Sequence, residues 1–153
     1  MIPQKLKRFL QTHETISLDT SIFIYFVEEH PVYHPVCDEV FREVESGHIK
    51  ASTSTLSLLE ILVKPYKLDN DDLILKFYSL FTTYPNLSWV ELTIDVADKA
   101  ARIRGKYNLK TPDSIQIASA ISAGSTGIIC NDKEFKKIEE IECLVLDDLI
   151  QSK

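Results

Sequence analysis

The chain has 153 residues, enough for one domain with a proper core. Apolar residues make up 44% and charged residues 26%, with 4 Gly and 6 Pro, so disordered and collagen-like chains are excluded. The formal net charge of -6 argues against a non-specific nucleic-acid coat, because phosphate backbones are held by excess Lys and Arg.

Residues 1–10 have no extended apolar core followed by small residues and do not read as a signal peptide. Thr15 to Leu18 is a short β-leaning run ending at Asp19. Thr20 or Ser21 is placed to cap a helix through Ile22, Phe23, Tyr25, Phe26 and Val27, stopped by Pro31. A second helix starts near Pro35, carries Val36, Val40, Phe41 and Val44 at helical spacing, and ends near Gly47. Ile49 to Ser52 fits a second strand. Thr53 or Ser54 then caps an apolar helix, Leu56 to Val63, ended by Pro65. Asp69 or Asn70 caps another, with Leu73, Ile74, Phe77, Leu80 and Phe81 on one face.

Leu87 to Leu92 resembles a third strand, and Thr93 caps the helix Ile94 to Tyr107. Thr111, Pro112 and Asp113 open the helix Ser114 to Ala123, closed by Gly124. Gly127 to Cys130 is a buried-type strand, a short helix covers Lys133 to Ile138, and Cys143 to Leu146 is the last strand. Alternating strands and helices predict a three-layer α/β/α sandwich around a central, mainly parallel sheet, with 1–153 as one domain. The apolar runs, such as Ile22 to Val27, are far short of the roughly 20 residues that span a bilayer. Cys37, Cys130 and Cys143 are odd in number and lack zinc or redox spacing, which fits a reduced, cytoplasmic protein.

Four carboxylates fall where such a frame would gather them. Ligands of open parallel α/β sheets bind outside the carboxyl ends of the strands. Asp19 ends the first strand, and Asp132 follows the strand ending at Cys130. Asp113 lies near a helix N-terminus, and Glu60 lies in the helix after the second strand. Three of them also have ordinary explanations. Asp19 fits a turn or N-cap, Asp132 fits the start of the next helix, and Asp113 is favoured by the helix dipole alone. Glu60 is flanked by Leu56, Leu58, Leu59, Ile61, Leu62 and Val63 around nearly the whole helix, so burial is expected, and a buried carboxylate needs a partner or a metal. His30, His34 and Cys37 are interrupted by Pro31 and Pro35 and make a poor zinc site. No glycine-rich phosphate loop or serine-nucleophile elbow is present.

These four segments together resemble the PIN-domain family of metal-dependent nucleases, in particular the VapC-type ribonuclease toxins. Leu18-Asp19-Thr20-Ser21 is similar to the family's opening strand and first acid. Glu60 within Thr55 to Ile61 is similar to the second, and Thr111-Pro112-Asp113 with the small-residue helix to Ala120 is similar to the third. Asp132 resembles the fourth, with Phe135 as the aromatic three residues later. The family commonly has Thr or Ser where Cys130 stands, and some members carry a further acid, which Glu134 would match.

The resemblance implies a Mg²⁺ or Mn²⁺ site of oxygen ligands. Asp19 and Asp113 would be the main direct or water-mediated ligands. Glu60 would orient or deprotonate the attacking water or share a second ion, and Asp132 would complete the site. Ser21 and Glu134 would support it. It also implies cleavage of RNA, a homodimer, and inhibition by a small antitoxin. The segment from Lys99 to Lys110 holds no acid, so Arg102, Arg104, Lys106 and Lys110 are candidates for RNA binding or simply a solvated helix face. Competing readings are a non-catalytic PIN-like interaction module and a PIN nuclease in RNA processing. A phosphoacceptor domain would need adjacent acids early in the chain, and an Asp-x-Asp phosphatase fails because Ser21 occupies its second position.

Overall fold

The computed structural model describes residues 2–151. The described elements in order are α1 (Gln4–Thr12), β1 (Thr15–Leu18), α2 (Thr20–Val27), α3 (His34–Ser46), β2 (Lys50–Ser54), α4 (Thr55–Lys67) and α5 (Asp71–Thr83). They continue as β3 (Leu87–Val90), α6 (Ile94–Tyr107), α7 (Thr111–Ser122), β4 (Gly127–Cys130), a 3₁₀ turn (Lys133–Lys137), β5 (Glu142–Val145) and α8 (Leu146–Gln151).

Local chemistry accounts for most boundaries. The side chains of Ser54, Asn70 and Thr93 accept the N–H groups of Leu56 (3.1 Å), Leu73 (3.2 Å) and Val96 (3.2 Å), satisfying orphan donors at three helix starts. Gly47 ends α3 in the left-handed region at φ 86°. The sheet has the order β3-β2-β1-β4-β5 and every neighbouring pair is parallel. The expected α/β/α sandwich is therefore the observed one. Side chains from its strands are buried on both faces: Ile129 and Leu144 join one apolar cluster with α1 to α5, whereas Ile128, Cys130 and Val145 join another with α6 and α7.

Several details depart from expectation. No element was expected before Thr15, yet α1 packs Leu6 and Phe9 into the core. Its nine residues give too short a pattern to stand out without the sheet they cover. Pro65 does not end α4; a proline removes one N–H but leaves the following residues free to complete a turn, and α4 runs to Lys67. α7 begins at Thr111 rather than Ser114, because Pro112 is suited to the first turn. The segment after Asp132 is 3₁₀ rather than α.

At Gly127 the sheet and α1 approach closely. A Cβ there would lie 2.5 Å from Cζ of Phe9 and 3.0 Å from the His13 ring. Gly127→Ala should cost about 1–3 kcal/mol through this overlap. Thermal unfolding reads the loss, and an unchanged Tm would show that α1 does not seat on β4 as described.

Candidate functional site

β1 sits at the centre of the sheet, and the chain runs outward from it in both directions, first through β2 and β3 and later through β4 and β5. The crevice between the carboxyl ends of β1 and β4 is thus the topological switch point, where open α/β sheets place their ligands. Asp19 and Asp132 flank it. The Asp19 N–H continues the ladder to the carbonyl of Ile129 at 3.0 Å. Asp19 occupies the N-cap position of α2 in extended conformation, yet its carboxylate makes no capping hydrogen bond to that helix. The only backbone donor from α2 that acts on this carboxylate is the Thr20 N–H at its first residue. Asp132 does cap, accepting the Glu134 N–H at 2.9 Å.

The electrostatics tie the remaining acids to these two. Burial raises the Asp19 carboxyl from 3.8 to about 6; Glu60 and Asp113 add to the rise, and the Thr20 backbone N–H and Ser21 hydroxyl oppose it. Burial also raises Asp113, reinforced by repulsion from Asp132, Glu60 and Glu134 and opposed by Lys110. Asp19, Glu60, Asp113, Asp132 and Glu134 thus share one field. Among the described residues none of the first four makes an ion pair with Lys, Arg or His. Glu134 does: Lys137 at 2.7 Å holds its carboxyl below the usual range.

Glu60 is exposed, which overturns the expectation of a buried carboxylate. α4 is apolar nearly all round, but only part of that circumference is covered; Leu59, Val63 and Tyr66 are 61%, 43% and 55% exposed. The acid reaches the cluster by a hydrogen bond instead, accepting the Thr20 hydroxyl at 2.7 Å. Ser21 lies 3.4 Å from Asp19, a weak contact. Cys130 is fully buried, its thiol pushed up by burial, and it donates to the carbonyl of Asp132 at 3.6 Å. The sulfur thereby steadies the turn that carries the fourth acid.

The donor chemistry fits a hard divalent cation: four carboxylates, no ion-paired cation among the described residues, and raised pKa values at Asp19 and Asp113 that a positive ion would lower. Among the described residues no group of three or more His, Cys, Asp or Glu side chains is arranged to hold one ion. The four acids are therefore not a closed cage among the described residues.

The basic candidates separate. Arg102 pairs with Asp98 at 3.0 Å and Lys106 with Glu140 at 3.3 Å. Arg104 donates to Thr111 at the start of α7, and Lys110 acts on Asp113 and Glu134. The residue reading of the sequence missed Thr20, Ser57 and Gln116, which bond to one another beneath the acids. Their signal was present in the helical spacing: Ser57 and Gln116 lie three residues from Glu60 and Asp113.

An α/β/α sandwich around a five-stranded parallel sheet of order β3-β2-β1-β4-β5 defines the class. Within that class a family model described as PIN domain matches residues 16–141, and the chain belongs to the PIN domain family. No curated protein matches the sequence significantly. Three solved structures share the fold. The structure of VapBC2 from Rickettsia felis bound to a promoter DNA fragment is 14% identical, with a TM-score of 0.66 over 86% of this chain and 98% of that one. A toxin-antitoxin complex from Klebsiella pneumoniae is 18% identical, with a TM-score of 0.63 over 86% and 97%. DNA-bound VapBC from Salmonella typhimurium is 18% identical, with a TM-score of 0.65 over 86% and 98%.

The raised pKa of Asp19 affects stability with a defined sign. Between 3.8 and about 6 the folded state holds a proton that the unfolded state has released. The stability this confers is complete below pH 3.8 and is lost as pH rises through 6. Without divalent ions, Asp19→Asn should thus be more stable than wild type at pH 7.5, by about 1–3 kcal/mol, and no more stable below pH 3.8. Urea unfolding at the two pH values measures this, and a destabilised variant at pH 7.5 would contradict it.

Proposed function

We propose that this chain is a Mg²⁺- or Mn²⁺-dependent endoribonuclease, the toxin of a type II toxin–antitoxin pair, with 1–153 forming one cytoplasmic nuclease domain. The observation that supports this reading is the mutual repulsion linking Asp19, Glu60, Asp113 and Asp132, which come from four separate segments and have no ion-paired cation among the described residues. Support for the toxin role comes from the shared fold with complexes described as VapBC and toxin-antitoxin.

In this reading Asp19 and Asp113 hold the ion, directly or through water, because they carry the raised carboxyls deepest in the cluster. Asp132 bounds the crevice on the β4 side, and Ser21 steadies Asp19. A bound divalent ion supplies Lewis acidity toward the phosphodiester and favours deprotonation of water. Glu60 would orient an attacking water and accept its proton, its carboxylate being exposed. Glu134 lies at the rim, held by Lys137.

RNA backbone is bound by Arg104 and Lys110, which have no acidic partner within ion-pair distance among the described residues, with Arg102 and Lys106 contributing only once released from Asp98 and Glu140. A homodimer would cover the exposed apolar faces of α4 and of the start of α6, where Ile94 is 91% exposed. A small antitoxin would supply the inhibitory partner. No described helix is long and apolar enough to cross a membrane.

Cleavage of RNA with Mn²⁺ or Mg²⁺ tests the reading. Asp19→Asn and Asp113→Asn should each lower the rate by at least about 100-fold, as removal of transition-state stabilisers commonly does. A wild-type protein inactive with both metals on varied RNAs, or variants that cleave equally well, would overturn it. Separately, Arg104→Gln with Lys110→Gln should weaken RNA binding and flatten its salt dependence while the folded circular-dichroism spectrum is retained. Unchanged affinity would remove these cations from the interface.

A further inference from the structure

Beneath the acids lies a buried polar relay joining three helices. Gln116 of α7 is 1% exposed and Ser57 of α4 is fully buried. The Gln116 amide donates to the Ser57 hydroxyl at 2.6 Å and to the Thr20 hydroxyl at 3.3 Å. Thr20 opens α2, directly after Asp19. Its hydroxyl oxygen accepts from Gln116, so its single proton is left to give. Two acceptors are in reach, Glu60 at 2.7 Å and Ser57 at 3.0 Å. The carboxylate is nearer and charged, and charge-assisted hydrogen bonds are roughly twice as strong as neutral ones. Ser57 is meanwhile held by the Gln116 amide, and Thr53 gives its own proton to the carbonyl of Leu18 at 2.8 Å.

We propose that Thr20 and Gln116 are positioning residues for Glu60, fixing its carboxylate over the cluster through a directed amide–hydroxyl relay. This rests on the ribonuclease reading above for its kinetic consequence but not for its structural one. Glu60 needs such a tie. It stands on an exposed stretch of α4, where a glutamate free to sample its rotamers would spend little time facing Asp19. The relay has its own cost: the Gln116 carbonyl oxygen is buried without a partner. A buried unpaired acceptor is rare in a core, and any apolar side chain would avoid that penalty. Its retention is accounted for by the amide hydrogens, which set the direction in which Thr20 donates.

The test has two arms. In RNA cleavage with Mn²⁺, Thr20→Val removes the hydroxyl at nearly constant volume and should lower kcat about 10- to 100-fold with KM within about twofold. Thr20→Ser should recover most of the rate, and Gln116→Leu should fall between the two. Adding Thr20→Val to Glu60→Ala should cause no further loss, because the hydroxyl acts only through that carboxylate. Wild-type rates in Thr20→Val, no recovery in Thr20→Ser, or multiplicative losses in the double variant would overturn the proposal. The second arm measures urea unfolding of wild type, Thr20→Val, Glu60→Ala and the double variant without metal. Non-additive stability changes for Thr20→Val and Glu60→Ala support the tie, and additive changes overturn it even if no RNA is cleaved. An inactive wild type with a coupled unfolding cycle would instead overturn only the ribonuclease reading.

Discussion

The parallel pairing of β1 with both β2 and β4 is the constraint on which everything else depends. Leu18 sits beside Ile129, and Ser17 lies between Ser52 and Ile128. Because those ladders are parallel, β1, β2 and β4 end on the same edge. The segments leaving them then deliver Asp19, Glu60 and Asp132 to one crevice, and α7, packed on α6 and β2, delivers Asp113. A reversed strand at any of these places would carry its acid to the opposite edge. The buried faces enforce the register, since a one-residue slip of β4 would exchange Ile128 and Cys130 with Ile129 between the two apolar clusters.

Gathering like charges at a rigid edge stores repulsion in the fold. At Asp19 and Asp113 this repulsion adds to burial, which is the larger cause of their raised carboxyls, whereas at the rim Lys137 holds Glu134 down. Sites of chemistry commonly sacrifice stability in this way. Here the tension has a natural outlet, because a divalent cation stabilises the same arrangement that its absence penalises. The hydroxyls and amide beneath the acids limit the other route to relief, which is for the side chains to swing apart.

Much of the fold was legible in the strand and helix periods and in the capping residues. Thr93, Asn70 and Gly47 mark boundaries that the structure keeps, since capping is a local interaction read from adjacent residues. The short α1 was not legible, because only the sheet that Leu6 and Phe9 cover makes it a helix worth forming. Pro65 was over-read as a terminator for a related reason: its cost is one hydrogen bond, and the packing of α4 against α2 and α5 outweighs it.

By itself the sequence determined the alternation of strands and helices, because caps, turns and hydrophobic periods are local, and it singled out four acids at the ends or starts of those elements. It also pointed to the family, through four short segments in the right order. Only the tertiary structure decided their environments. Glu60 lies in a run apolar on every side, yet no layer covers Leu59, Val63 and Tyr66, so the acid is exposed and held by Thr20 instead of buried. Asp19 fitted either a cap or a ligand in the sequence, and its carboxyl is raised by burial and makes no side-chain capping bond. Burial and field strength are sums over neighbours far apart in the chain, and no window along the sequence contains them.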